Sequence, residues 1–374
     1  MSYSKEQIWL KAKELFRIEK PLAITMWDFS WMERRWPGAG FEDWDQALTE
    51  LTDRGYDAVR IEAYPHLVAK DIKRTWTLKP VWNLQDWGAP AVTRINLKDD
   101  FRAFLTACRR HHVRVALSSW FRQDMDNTHM EIKTPEDHAR VWVKTLDYIK
   151  AWGELDNLLY VDMCNEFPLA VWASFFSETD LPLNSEKPMS WMKAAVTEFK
   201  RFYPEIPVTF SFCDHYDETM DVSCLDFLEP HLWMASYSDY YDLVGYHFER
   251  FDDTGYTNMA LHGKEIYLAD RKRFDQILID GIQTLARWAI RSGKPLITTE
   301  CWAVVDYKDW PLLDWDWVLE LNRLGVETAV STGCWAAIAT SNFCAPQFVG
   351  MWRESDWHRQ LTKLIHESQN GMSI

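Results

Sequence analysis

Short apolar, β-branched runs alternate with longer stretches of helical periodicity along the whole chain, and this alternation restricts the fold more than any other feature. The runs fall at 22–27, 58–62, 113–118, 158–163, 207–212, 227–233, 296–299 and 328–335. Helical patterns separate them at 41–54, 98–111, 135–152, 190–202, 273–292 and 313–324. Thr134-Pro135-Glu136-Asp137 reads as a helix start, while Arg54-Gly55 and Ser292-Gly293 read as stops. Eight strands alternating with helices predict an α/β chain folded as a single (β/α)8 TIM barrel, whose working face is the rim at the strands' C-terminal ends. No linker or composition shift divides the chain, so residues 1–374 are expected to form one domain, with the barrel at about 20–365. Ile8, Trp9, Ala12, Leu15 and Phe16 repeat at helical spacing and predict an amphipathic helix at about 4–17 packed on the barrel. Long connections at 64–96, 167–189 and 234–270 are rich in Trp and Tyr, and such loops build substrate sites on barrels.

Charge excludes several partners. The net charge is −15 and no run of Lys or Arg could track a phosphate backbone, so neither nucleic acid nor an anionic membrane is expected. The first twenty residues are charged throughout, which speaks against a secretory signal. The seven cysteines are scattered with no C-x-x-C pair, as buried thiols in a reducing cytoplasm would be. A zinc site from Cys213 and His215 has the wrong ligand spacing, so no metal or other cofactor is expected. Several of the 22 Trp residues lie in turn-like contexts, Trp82, Trp87 and Trp120 among them. Indole faces suit the apolar faces of pyranose rings.

Polar and aromatic groups recur wherever an apolar run stops. The ends offer Asp28, Arg60 with Glu62, Ser118-Ser119-Trp120, Asn165-Glu166, Asp214-His215, His231 with Trp233, Glu300 with Trp302, and Trp335. Two carboxylates at strand ends, Glu166 and Glu300, are what a retaining glycosidase needs: one protonates the leaving oxygen and the other attacks the anomeric carbon. The Asn before Glu166 can bond a sugar hydroxyl beside the reacting carbon.

On these motifs the chain resembles the clan GH-A glycoside hydrolases, and within them the family 5 cellulase-like enzymes, from residue 22 to about 352. The resemblance implies Glu166 as acid/base and Glu300 as nucleophile. It further implies Arg60 as the group that keeps the nucleophile ionised, His231 as the strand-six histidine, and Trp335 as the floor under the sugar. Asn165, Trp302, Trp120 and Trp233 complete the expected substrate contacts. The chain departs from the family in reading Asn165-Glu166-Phe167-Pro168 for Asn-Glu-Pro, Trp233 for a tyrosine, and Ser118-Ser119-Trp120 where a histidine is usual. The closest branch is the cytoplasmic exo-β-mannosidases, which implies a small soluble oligosaccharide substrate; a homo-oligomer is compatible with all of this. A β-glucosidase, an endo-β-glucanase or a non-catalytic sugar-binding barrel are the alternatives.

Overall fold

A computed structural model describes residues 2–82, 86–176, 181–213, 218–247, 253–309 and 313–368. Its centre is a seven-stranded parallel sheet in the order Leu296–Thr298, Trp335–Ala339, Leu22–Asp28, Ala58–Glu62, Arg114–Ser118, Leu158–Asp162, Val208–Thr209. Every residue of Leu22–Asp28, Ala58–Glu62 and Leu158–Asp162 is buried. Parallel strands covered on both faces show such unbroken apolar runs, which is why they stood out in the sequence. Strands successive in the chain are sheet neighbours except Val208–Thr209 and Leu296–Thr298, which stand at the two ends, giving a TIM-barrel-like curl with helices between successive strands.

The expected sixth strand is not a continuous member of this sheet. It survives as Glu229–Pro230, paired with Ser211–Phe212, and Leu232–Trp233, paired with Cys301–Trp302. Its amides turn alternately to the two sides: His231 N–H donates to the Phe212 carbonyl and Met234 N–H to that of Trp302. Pro230 has no N–H to give, which interrupts an ordinary ladder.

A second correction concerns residues 328–332. They were expected in the last strand but form the end of a helix, Asp316–Thr332, closed by Gly333 at φ 70. The β-branched Thr328, Val330 and Thr332 mimic a strand, yet Leu321, Gly325 and Ala329 lie on the helix's buried stripe. The true strand begins at Trp335, where the expectation had it stop.

Most helices fall where their periodicity put them, at Trp44–Asp53, Leu97–Arg110, Pro135–Ala151, Glu186–Lys200 and Arg271–Ser292. The helix Asp253–Ala269, inside the third long connection, was not foreseen. The N-terminal helix Lys5–Phe16 opens on a reciprocal cap between Ser4 and Gln7 and buries Ile8, Ala12 and Phe16. Phe16 packs edge-on against Phe227 at 5.1 Å. Among the described residues no helix is long and apolar enough to cross a membrane.

Candidate active site

Arg60 is the hub on which the strand ends converge. Its side chain is fully buried, and a buried guanidinium persists only if its donors and charge are matched. Nη1 donates to Glu300 Oε1 at 3.0 Å. Nη2 reaches Asp162 Oδ2 at 2.5 Å, Asn165 Oδ1 at 2.7 Å, and the hydroxyls of Ser118 and Ser211 at 3.0 Å each. Nε stands 3.3 Å from Glu229 Oε1, close enough for an ion pair but misaligned for a hydrogen bond. The Trp120 ring lies 4.7 Å from the guanidinium carbon. Arg60→Met should therefore cost roughly 3–5 kcal/mol in urea unfolding, because three buried carboxylates lose their countercharge. Burial already holds Glu229 up at about 8 despite Arg60, and losing the guanidinium would raise it further, so the deficit should widen as pH rises past about 8. A deficit independent of pH would refute this account.

Glu166 follows the strand Leu158–Asp162 in a left-handed conformation, φ 46, a conformation that costs energy for a residue with a side chain. Neighbouring strand ends hold the turn. Glu166 N–H donates to Ser211 Oγ at 3.0 Å, Asn165 N–H to the Ser119 carbonyl at 2.9 Å, and Phe167 N–H to the Ser211 carbonyl at 3.0 Å. The strain aims the carboxylate across the rim. Glu166 Oε1 lies 3.0 Å from His231 Nδ1, which lies 3.7 Å from Glu300 Oε1. These three residues bring one ligand-type atom each to within 4.8 Å of one another. A cation could be imagined in this triangle, but Arg60 already supplies positive charge to Glu300.

Burial pushes the Glu166 carboxyl up to about 7, with the Trp172 indole N–H, at 3.3 Å from Oε2, pulling the other way. Burial also raises Glu300; His231 opposes it, Glu166 adds to it, and Arg60 opposes it. The expectation that the charge of Arg60 lowers the Glu300 carboxyl is thus corrected, because burial outweighs it. Arg60 is shared with Asp162 and Glu229, so its pull on any one carboxylate is diluted. His231 is drawn down to about 4 by burial and is neutral at pH 7.

The two glutamates open onto a cavity of about 340 Å³. Asn165, Trp120 and Trp233 line it, as the sequence suggested. Arg60 and His231 sit just beneath, in contact with the carboxylates. Trp302 and Trp335 do not line it. Trp302 is fully buried, donates from Nε1 to the Ala339 carbonyl at 2.9 Å, and packs on Gly325, where any side chain would collide with its ring. Trp335 stands at the start of its strand, paired with Leu296 and 5.7 Å from the Trp302 ring, at the end of the sheet remote from Glu300. Both are core residues, and the expected sugar floor at Trp335 is withdrawn. Ser119, in the expected histidine's stead, donates to Glu62 Oε1 at 2.9 Å. Asp214 and His215 lie outside the described residues.

The cavity also holds residues that sequence reasoning left out of the site. Trp172 comes from the loop just after Glu166, and its ring is 4.4 Å from that of Trp82, which is 4.5 Å from Trp87. Tyr241, Asp242 and Asp306 come from connections with no strand-end signature. Asp28, a weaker strand-end candidate in the sequence, also faces the cavity.

A family model described as cellulase-like, sugar-binding, matches residues 24–366. Among solved structures, a candidate glycoside hydrolase from Parabacteroides distasonis is 45% identical, with a TM-score of 0.90 over 94% of this chain and 96% of its own. The endo-β-1,4-mannanase of Thermotoga petrophila is 10% identical, with a TM-score of 0.51 over 94% of this chain and 78% of its own. GH5_18 from Streptomyces cattleya, solved with GlcNAc, is 11% identical, with a TM-score of 0.52 over 94% and 81%. The last two share the fold alone. Among curated proteins no match was found.

Proposed function

Because this chain belongs to the sugar-binding cellulase-like family and carries a glycoside hydrolase fold, we propose that it is a retaining, exo-acting β-glycosidase working by double displacement. One observation carries the reading: carboxylate oxygens of Glu166 and Glu300 lie within 4.8 Å of each other at one rim. Retaining enzymes need about 5–5.5 Å between carboxyl groups, and inverting ones about 6.5–9.5 Å to admit a water.

In this mechanism an oxygen of Glu300 attacks the anomeric carbon as the glycosidic bond breaks, and Glu166 gives its proton to the departing oxygen. Water then attacks the glycosyl ester. Glu166, now ionised, takes the water's proton, and Glu300 leaves as a carboxylate. A carboxyl lifted to about 7 suits the first step, since it is still largely protonated near neutrality. Arg60 stabilises Glu300 as it leaves, and neutral His231 orients Glu166. Trp172→Phe removes a donor that favours ionised Glu166, so the basic limb of kcat/KM should move to higher pH. A limb that stays or moves down would show that Trp172 does not act on the acid.

The aryl and pyranose partner surface is supplied by Trp82, Trp87 and Trp172 on the Glu166 side. Terminal β-mannose on short oligosaccharides is the preferred substrate of this proposal. That preference, like the cytoplasmic setting, rests on the sequence resemblance. A panel of nitrophenyl β-glycosides tests it: the mannoside should be cleaved fastest, and NMR should show the β-anomer of the sugar first. Faster cleavage of another sugar moves the specificity; an α-anomer at early times refutes retention; no turnover at all favours a sugar-binding barrel.

A further inference from the structure

We propose that Asp28 binds a hydroxyl of the hexose on the Glu300 side of the cavity and thereby favours uncharged hexosides over hexuronides. This rests on the glycosidase reading and adds the substrate class.

Asp28 closes the first strand at φ 38, a left-handed position that Asp and Asn tolerate better than most residues. Its two oxygens are treated differently. Oδ1 accepts the Ser30 N–H and so fixes the turn. Oδ2 is buried without a well-formed hydrogen bond, the Ser30 hydroxyl beside the carboxyl being unsatisfied as well, and the residue, 1% exposed, lines the cavity. A buried carboxylate oxygen without a donor is costly, and such an atom at a cavity wall is accounted for by a ligand that supplies the donor.

Position assigns the ligand. In the sheet one strand separates Leu22–Asp28 from Leu296–Thr298, which leads to Glu300, and two separate it from Leu158–Asp162, which leads to Glu166, the residue Trp172 contacts; Asp28 therefore lies toward the nucleophile and the Trp172 indole toward the leaving group. A donor on the nucleophile side is a hydroxyl of the sugar that becomes bonded to Glu300. Burial holds Asp28 up at about 8, and a hydroxyl donated to Oδ2 would favour its ionised form.

The surroundings supply the discrimination. Asp28, Glu166, Asp242, Glu300 and Asp306 line the cavity, with no Lys, Arg or His among the described lining residues. Arg34, which attracts Asp28, is outside that wall and donates to the Gly88 carbonyl. A uronate carboxylate would find no facing cation on that wall, and every wall carboxyl that ionises would repel it.

Asp28→Asn separates the two oxygens. It keeps the tolerated backbone and the acceptor for Ser30, but replaces the acceptor at Oδ2 with an N–H donor and removes the charge. Wild type and Asp28→Asn are compared on nitrophenyl β-mannoside, β-glucoside and β-glucuronide. The kcat/KM of the preferred hexoside should fall roughly 10- to 100-fold, the loss of one charge-assisted hydrogen bond. That of the glucuronide should not fall with it, so the preference for the hexoside narrows by a similar factor. Equal losses on both would mean a merely structural role, and unchanged values would mean no role; either overturns the proposal. If wild type cleaves none of the three, the glycosidase reading fails separately, and calorimetry with 1-deoxymannojirimycin decides. Tenfold weaker binding by Asp28→Asn supports the hydroxyl site; equal binding, or none to either protein, overturns it. Should Asp28→Asn fold poorly, Asp28→Gly also accepts the left-handed backbone and is expected to shift the ratio the same way.

Discussion

Glu300→Ala is expected to reduce turnover of every β-glycoside by on the order of 10⁴- to 10⁶-fold, because no other group can form the glycosyl ester. The loss should be as severe for an activated nitrophenyl substrate as for a disaccharide, since a better leaving group cannot replace a missing nucleophile. The void left by the carboxylate lies beside the Arg60 guanidinium, which donates to Glu300 in the intact protein. A small anion such as azide should therefore enter there, attack from the vacated side, and give a glycosyl azide of inverted configuration. Arg60 would be left with Asp162 and Glu229, so the variant should stay folded and its melting temperature should report this. Wild-type activity in Glu300→Ala would remove Glu300 from the chemistry altogether.

Glu166→Ala should behave differently, and the contrast between the two variants is the stronger test. General acid catalysis contributes roughly 10²- to 10⁴-fold, and only where the leaving group needs the proton. The first step with 2,4-dinitrophenolate should survive, while hydrolysis of an oligosaccharide should fall through that whole range. Deglycosylation then becomes limiting, because no base remains to activate water, and a burst of nitrophenol should precede a slow steady state. Azide should speed this second step and yield a glycosyl azide of retained configuration. The basic limb of the pH profile, set by a carboxyl near 7, should vanish as well. If both variants lose activated and natural substrates alike, with no response to azide, the two glutamates have been given the wrong roles.

Much of the architecture was legible because strand burial and strand spacing are local properties. Ala58–Glu62 appears where its apolar run lies, and the Arg114–Ser118 run begins one residue later than read. Where local pattern misled, tertiary packing had overruled it. The β-branched stretch before Gly333 is helical because Leu321, Gly325 and Ala329 give that helix a buried face. That misreading moved the strand end by several residues and carried Trp335 from the core to the rim. The same error type explains the missed Trp172, which belongs to a loop that has no periodicity to betray its direction.

By itself the sequence determined the order of most strands and helices and the placing of Asn165-Glu166 and Glu300 where apolar runs stop, since residue type and local pattern suffice for both. Only the tertiary structure decided that Trp302 and Trp335 face the core, that Asp28 faces the cavity, and that Arg60 is divided among Asp162, Glu229 and Glu300. The physical reason is range. A strand's burial depends on residues a few positions away, whereas the charge on Glu300 depends on burial and on an arginine 240 positions distant in the chain.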